Sequence, residues 1–186
     1  ISPYPSVLLG AVQLTPIQVT QLYQTFANGG TIVPLRSIRE VLDKNNSPLS
    51  SYSLQLENGL DAKAVYLTNH AMKQVVKSGT AKKLSAVIEK DVAGKTGTTN
   101  DLRDSWFAGF SADKLAVVWM GEDNNKTIGL TGASGAMQVW SGLMQNVHIR
   151  SLEHQPPEGV EYYWAEKESG RLAEKHCKGV VPVPFY

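Results

Sequence analysis

Apolar residues fall at helical spacing in three stretches of the chain and in strand-like runs between them. Thr15-Pro16-Ile17-Gln18 has the form of a capping box with proline at the first helical position. Val19, Leu22, Tyr23 and Phe26 follow three or four apart until Gly29, which predicts a helix. Asp61 is suited to cap a second helix, with Val65, Met72, Val75 and Val76 inward, Lys63, His70 and Lys77 outward, and Gly79 as its stop. Ser134 is placed to cap a third, whose stripe of Ala136, Val139, Trp140, Leu143, Met144 and Val147 suits packing on a sheet. Thr31 to Leu42 and Ser51 to Leu56 flank the turn-rich segment Asp43 to Pro48, which predicts a hairpin or a pair of short strands. Asp104 to Phe110, the polar turn Ser111 to Lys114 and the apolar run Leu115 to Met120 read as strand, hairpin and strand, the last apolar enough for burial on both faces.

Beyond Arg150 the composition changes. Glu153 to Gly159, with two prolines, reads as a linker, and Val180 to Tyr186 as an extended tail. The expected division is a main unit over 1–150 and a C-terminal tail over 151–186 made of a linker and a short aromatic, extended segment. Tyr162, Tyr163 and Trp164 need something to pack against: a tail docked back on the main unit is the plain reading, a partner-binding tail the sharper one.

The chain has 186 residues, 42% of them hydrophobic, enough to bury a sizeable core. A formal net charge of +1 gives no reason to expect a polyanionic partner, and Lys73, Lys77, Lys82, Lys83 and Lys90 read as a solvated helix face rather than a nucleic-acid patch. The single cysteine, Cys177, leaves no internal disulfide, and His148, His154 and His176 have no zinc-ligand spacing. No apolar run approaches the roughly 18 residues of a membrane span. The opening Ile1-Ser2-Pro3-Tyr4, with neither initiator methionine nor signal sequence, sets the expectation of a fragment of a longer protein.

The chemistry concentrates in Ala93 to Asn100, A-G-K-T-G-T-T-N. Lys95 fixes a negative charge, the hydroxyls of Thr96, Thr98 and Thr99 supply oriented hydrogen bonds, and Gly97 lets a ligand lie close against the backbone: the string suits a carboxylate or a phosphate. A phosphate-binding P-loop is disfavoured, because Glu89 stands where its leading glycine belongs and Gly97-Thr98-Thr99 opens a helix poorly. The other owner of Lys95-Thr96-Gly97 is the K-T-G element of penicillin-recognising serine enzymes.

Further motifs follow in order: Leu8 to Val19 (L-L-G-A-V-Q-L-T-P-I-Q-V), Phe26 to Gly30 (F-A-N-G-G), Val75 to Ala81 (V-V-K-S-G-T-A), Asp104 to Phe110 (D-S-W-F-A-G-F) and Leu130 to Met137 (L-T-G-A-S-G-A-M). On these the chain resembles, from about Val7 to about Met144, the C-terminal half of the transpeptidase domain of class A, bifunctional penicillin-binding proteins, most nearly the 1b type of Gram-negative bacteria. The resemblance implies an α+β fold, the penicillin-binding-protein transpeptidase (serine β-lactamase-like) fold with an antiparallel sheet flanked by helices, here only its C-terminal part. It also implies part of a peptidoglycan D,D-transpeptidase that cross-links stem peptides through a serine acyl-enzyme and is acylated by β-lactams. Lys95 would be catalytic. Thr96, Gly97, Thr98 and Thr99 would line the substrate site with it, and the Thr98 N–H would form half of the oxyanion hole.

The family's nucleophilic serine, in S-x-x-K, and its S-x-N element are not found in working order. Ser111-Ala112-Asp113-Lys114 matches the first as text but sits in a turn, and Thr98-Thr99-Asn100 imitates the second loosely. The implied partners are stem peptides, β-lactams and the N-terminal remainder of the parent protein, which would also carry a glycosyltransferase and a membrane anchor; cell-wall regulators would meet the C-terminal tail. The implied location is the periplasmic face of the bacterial inner membrane, with no cofactor, no metal and no nucleic acid. The alternatives are a D,D-carboxypeptidase or β-lactamase-type serine hydrolase, or a non-catalytic structural fragment. Asp101 with Asp104 and Glu122 with Asp123 read as solvated turn acids, and Trp106 as core rather than groove.

Overall fold

Thr15 and Gln18 cap the first helix reciprocally, as their spacing predicts. The Gln18 side chain accepts from the Thr15 N–H at 2.8 Å, and Thr15 accepts from the Gln18 N–H. The structure, a computed structural model, describes residues 4–10, 12–153 and 155–186. Helix α1 (Pro16–Ala27) ends before Gly29 and Gly30, both at positive φ. Tyr23 and Phe26 face the core as expected; Leu22 does not, and Thr25 is buried instead, its hydroxyl donating to the Gln21 carbonyl.

Strands β1 (Thr31–Ile32), β2 (Glu40–Leu42), β3 (Pro48–Ser51) and β4 (Glu57–Asn58) form two small antiparallel pairs, β1 with β4 and β2 with β3. The hairpin is where the turn residues predict it, with Asn46 left-handed and the Asp43 carboxylate accepting from the N–H groups of Asn45 and Ser47 at 2.8 Å each. Its strands are far shorter than the flanking patterns suggest. No residue of β2 or β3 is buried, so no core extends the pairing.

Asp61 caps helix α2 (Ala62–Lys77) through the Ala64 N–H at 2.9 Å. Val65, Met72 and Val76 are buried, with Asn69, whose amide donates to the Phe26 carbonyl at 2.9 Å and ties α2 to α1. His70 is half-buried rather than on the outer face, because Tyr162 packs edge-on against it; burial, then Lys73 and Lys77, push its pKa down.

Strands β5 (Ala93–Thr98), β6 (Asp104–Phe110) and β7 (Leu115–Gly121) form an antiparallel sheet in that order. Helix α3 (Ala136–Asn146) covers the face of Phe107: the Trp140 indole lies 5.1 Å from that ring, both fully buried, among Val76, Leu84, Met137 and Met144. On the opposite face Ala93 and Phe110 pack with Met72 and Leu152 against Tyr23 and Phe26. Two sequence expectations change. β7 is only half-buried, its Trp119 lying at the surface beside Trp106. In α3 the buried set is Ala136, Met137, Trp140, Ser141 and Met144, while Val139, Leu143 and Val147 are exposed. The Trp140 indole N–H, shared between the Gly109 and Ala116 carbonyls at 3.3 and 3.2 Å, sets the rotation of the helix. Ser134 does not cap it; its hydroxyl is bound within the preceding turn, to Thr131.

Ile149 and Leu152 are buried, so the core runs past Arg150. Strands β8 (Glu161–Glu166) and β9 (Val180–Phe185) pair antiparallel; the segment read as an extended tail is the second of these strands. This hairpin rests on α2, with the Tyr162 and Tyr66 hydroxyls 2.7 Å apart. Among the described residues no helix is long and apolar enough to cross a membrane.

Candidate active site

Among the described residues β5 is an edge strand, paired on one side only. In an antiparallel ladder, hydrogen-bonded and non-hydrogen-bonded pairs alternate. The Thr99 N–H donates to the Asp104 carbonyl at 3.2 Å, so Gly97/Trp106 and Lys95/Ala108 are the hydrogen-bonded pairs that follow. The N–H and C=O groups of Thr96 and Thr98 therefore turn away from β6, to the open edge. Side chains alternate as well, which sets Thr96 and Thr98 on the Phe107 face and Lys95 on the other.

Lys95 is exposed, and its ammonium donates to the outward-facing Thr96 carbonyl at 2.8 Å, so a cation lies along the edge. The Thr96 hydroxyl is 2.7 Å from that of Thr80, and Thr98 Oγ1 accepts from the Gly132 N–H at 2.9 Å. Gly97 is crowded from two sides. A Cβ on it would stand 3.0 Å from Trp106 Cβ, so Trp106 would have to give by a few tenths of an ångström, and one on Gly132 would stand 2.6 Å from the Gly97 carbonyl oxygen, where a side chain has no room. Thus Lys95, Thr96, Gly97 and Thr98 meet at one edge.

Thr99 is placed differently. Its hydroxyl donates to Asp104 Oδ2 at 2.9 Å and accepts from the Asp104 N–H at 2.8 Å, while Trp119 Nε1 donates to Asp104 Oδ1 at 2.8 Å. This latch closes the β5–β6 turn, in which Asp101 and Leu102 are left-handed. Asp101 pairs with Arg103 at 3.1 Å, so the two acids do not work as a pair. Trp106, read from sequence as core, is half-buried and lines a groove of about 500 Å³ with Trp119, Pro16, Gln18, Thr99 and Asp104. It stays at the surface because the face it shares with Trp119 is covered only in part by α1.

The S-x-x-K look-alike is a folded turn. Ser111 is buried, its hydroxyl donating to Asp113 Oδ1 at 3.1 Å and accepting from the Lys114 N–H, while the Lys114 ammonium binds Asp113 Oδ2 at 3.0 Å rather than the serine. The Arg150 backbone N–H, then Lys114, hold the Asp113 carboxyl well below the usual range. The Lys114 ammonium, held by Asp113, is therefore not placed to activate Ser111.

Sequence reasoning missed Thr80, Ser105 and Gly132. Ser105 is fully buried; its hydroxyl donates to the Thr131 carbonyl and accepts from the Ala136 N–H, both at 2.8 Å, so it anchors the loop that carries Gly132. The signal was present in the motifs V-V-K-S-G-T-A, D-S-W-F-A-G-F and L-T-G-A-S-G-A-M, but without a partner to assign. A cavity of about 970 Å³ lies between α2 and the β8–β9 hairpin and includes none of the β5 residues. Among the described residues no three His, Cys, Asp or Glu side chains gather as a metal site would require.

Comparison with known proteins bears on this arrangement. Residues 4–139 match the family described as penicillin binding protein transpeptidase domain. Penicillin-binding protein 1B of Vibrio cholerae is 38% identical over 187 residues, covering 100% of this chain and 24% of that protein. Penicillin-binding protein 1B of Escherichia coli is 42% identical over 161 residues, covering 86% of this chain and 19% of that protein. The chain thus spans about a quarter or less of the length of these relatives. The crystal structure of penicillin-binding protein 1A from Haemophilus influenzae superposes with a TM-score of 0.80 at 21% identity, over 97% of this chain and 33% of that one, a likeness of fold. With the match reaching from before α1 into α3 and taking in the whole K-T-G strand, the chain belongs to the penicillin-binding protein transpeptidase family, in its class A, 1B-like branch.

Proposed function

We propose that this chain forms the K-T-G wall of a peptidoglycan D,D-transpeptidase, with the nucleophilic serine, its lysine and the S-x-N element supplied from outside it. The serine attacks the penultimate D-Ala carbonyl of a stem peptide, expels the terminal D-Ala, and passes the acyl group to an amine on a neighbouring strand; a β-lactam acylates the same serine. Lys95 adds positive potential at the edge of β5 and joins the proton network around the serine. The hydroxyls of Thr96 and Thr98, about 7 Å apart along the strand by the strand rise, take the terminal carboxylate. Thr99 stands one position further on and contributes through its hold on Asp104. The Thr98 N–H donates to the oxyanion, with the serine's own N–H as the other donor.

The observation that carries this reading is the free edge of β5, where outward N–H groups, an ammonium and two hydroxyls gather. In the intact protein we expect a glycosyltransferase unit and a membrane anchor in addition, at the periplasmic face of the inner membrane. The β8–β9 hairpin is the surface offered to cell-wall regulators.

The test is intact-mass and peptide mapping of the full-length protein treated with a labelled penicillin. The label is expected on a serine outside this chain, and Lys95→Ala is expected to slow labelling by about a hundredfold. An adduct on Ser111, or labelling indifferent to Lys95→Ala, overturns the proposal.

A further inference from the structure

Two hydroxyls on β5 point to the same face, and each has a neighbour that is not part of the K-T-G string. A hydroxyl has one proton to donate and two lone pairs to accept with. At Thr98 the direction is fixed: the Gly132 N–H is a donor only, at 2.9 Å, so it occupies a lone pair and leaves the Thr98 proton free. At Thr96 the neighbour is another hydroxyl, Thr80 Oγ1 at 2.7 Å, which is able to donate or accept. A carboxylate is acceptor-only. If it is to be held by Thr96, the Thr96 proton must turn to it, and Thr80 must then donate to Thr96.

We propose that Thr80 is a positioning residue that turns the Thr96 hydroxyl proton towards the substrate carboxylate, as the Gly132 N–H does for Thr98. This rests on the carboxylate-binding reading above. The surrounding structure holds Thr80 in place. The residue before it, Gly79, closes α2 by donating its N–H to the Gln74 and Val75 carbonyls, at a spot where a Cβ would stand 2.8 Å from Val75 Cα. The residue after it, Ala81, is fully buried, with its N–H on the Val75 carbonyl at 3.1 Å. Thr80 is thus carried between a tight helix end and a core anchor, with its hydroxyl on the strand. On the other side, buried Ser105 binds both ends of the loop around Gly132. Backed in this way, each of the two hydroxyls accepts one hydrogen bond from behind and presents its proton to the ligand, and a hydroxyl that accepts one hydrogen bond donates a stronger one. The pair selects for a ligand with a free carboxylate over one whose carboxylate is esterified.

The experiment compares acylation of the full-length protein by a penicillin and by its methyl ester. Thr80→Val is expected to lower the rate with the free acid by about tenfold and to leave the ester rate unchanged; Thr80→Ser restores the free-acid rate. A carboxylate-to-ester ratio that stays the same or rises in Thr80→Val overturns the proposal, since Thr96 then donates to Thr80 or ignores it. Equal loss with both ligands, unrescued by serine, also overturns it and marks Thr80 as structural only. Thr96→Val separates the two levels: if it leaves the ratio unchanged the carboxylate-binding reading fails, and if it narrows the ratio while Thr80→Val does not, only the role of Thr80 fails.

Discussion

The β2–β3 and β5–β6 hairpins are built from similar local chemistry and end up with different standing. Each turns through a left-handed Asn or Asp, Asn46 in one and Asp101 in the other, and each has an aspartate tied to backbone N–H or hydroxyl groups of its turn. β2 and β3 bury nothing, whereas β6 buries Ser105 and every residue from Phe107 to Phe110. Turn residues alone therefore make a hairpin, but its strands stay short and peripheral. Holding hydroxyls and N–H groups in place at a site takes the core that α2 and α3 press against β5 and β6.

The strongest way to break this contrast is Trp140→Ala. It removes a fully buried indole from the face beneath β6 and is expected to cost about 3–5 kcal/mol in denaturant unfolding. Next comes Asp104→Ala, which releases Thr99 and Trp119. A loss of about 1–3 kcal/mol is expected, with faster amide exchange confined to the β5–β6 turn; unchanged exchange there would mean that core packing alone holds the strand end.

A smaller effect concerns the approach to β5. Asp91 is held below the ordinary carboxylate pKa, first by the Lys73 hydrogen bond at 2.9 Å, with Lys77 adding to it. Because the folded-state value is the lower one, the interaction stabilises the fold above the unfolded pKa of about 4 and fades as pH falls through the folded value. Asp91→Asn is expected to flatten the acid limb of the stability profile, at a cost below about 1 kcal/mol at neutral pH since the pair is partly solvated. The smallest effect is expected for Leu49→Ser on the β2–β3 hairpin, within about 0.5 kcal/mol by thermal unfolding, since Leu49 is 70% exposed. A larger loss would show that this hairpin is more than peripheral.

Much of this was legible in the chain. The Thr15–Gln18 box, the Asp61 cap and the Asp43–Pro48 turn are interactions between residues two to four apart, and each formed where its spacing pointed. Asp104 to Phe110 and Leu115 to Met120 were also read correctly as two strands joined by a turn. The phase of α3 was not. Val139, Leu143 and Val147 are as apolar as the residues actually buried, so periodicity allowed two stripes, and the fit of Trp140 between β6 and β7 chose one. Trp106 and β7 went the same way, since an apolar strand does not say which of its faces will be covered.

The site divides along the same line. Lys95, Thr96, Gly97 and Thr98 stand together in the sequence, and the alternation of a strand is enough to part Lys95 from the two hydroxyls. What backs those hydroxyls lies 16 and 34 residues away, in Thr80 and Gly132, on segments that meet β5 only after the helices have docked. Local spacing carries short-range hydrogen bonds and side-chain facing, because both follow from backbone geometry within a turn or two of chain. Contacts between distant segments depend on register, helix rotation and close packing, and those exist only in the assembled fold.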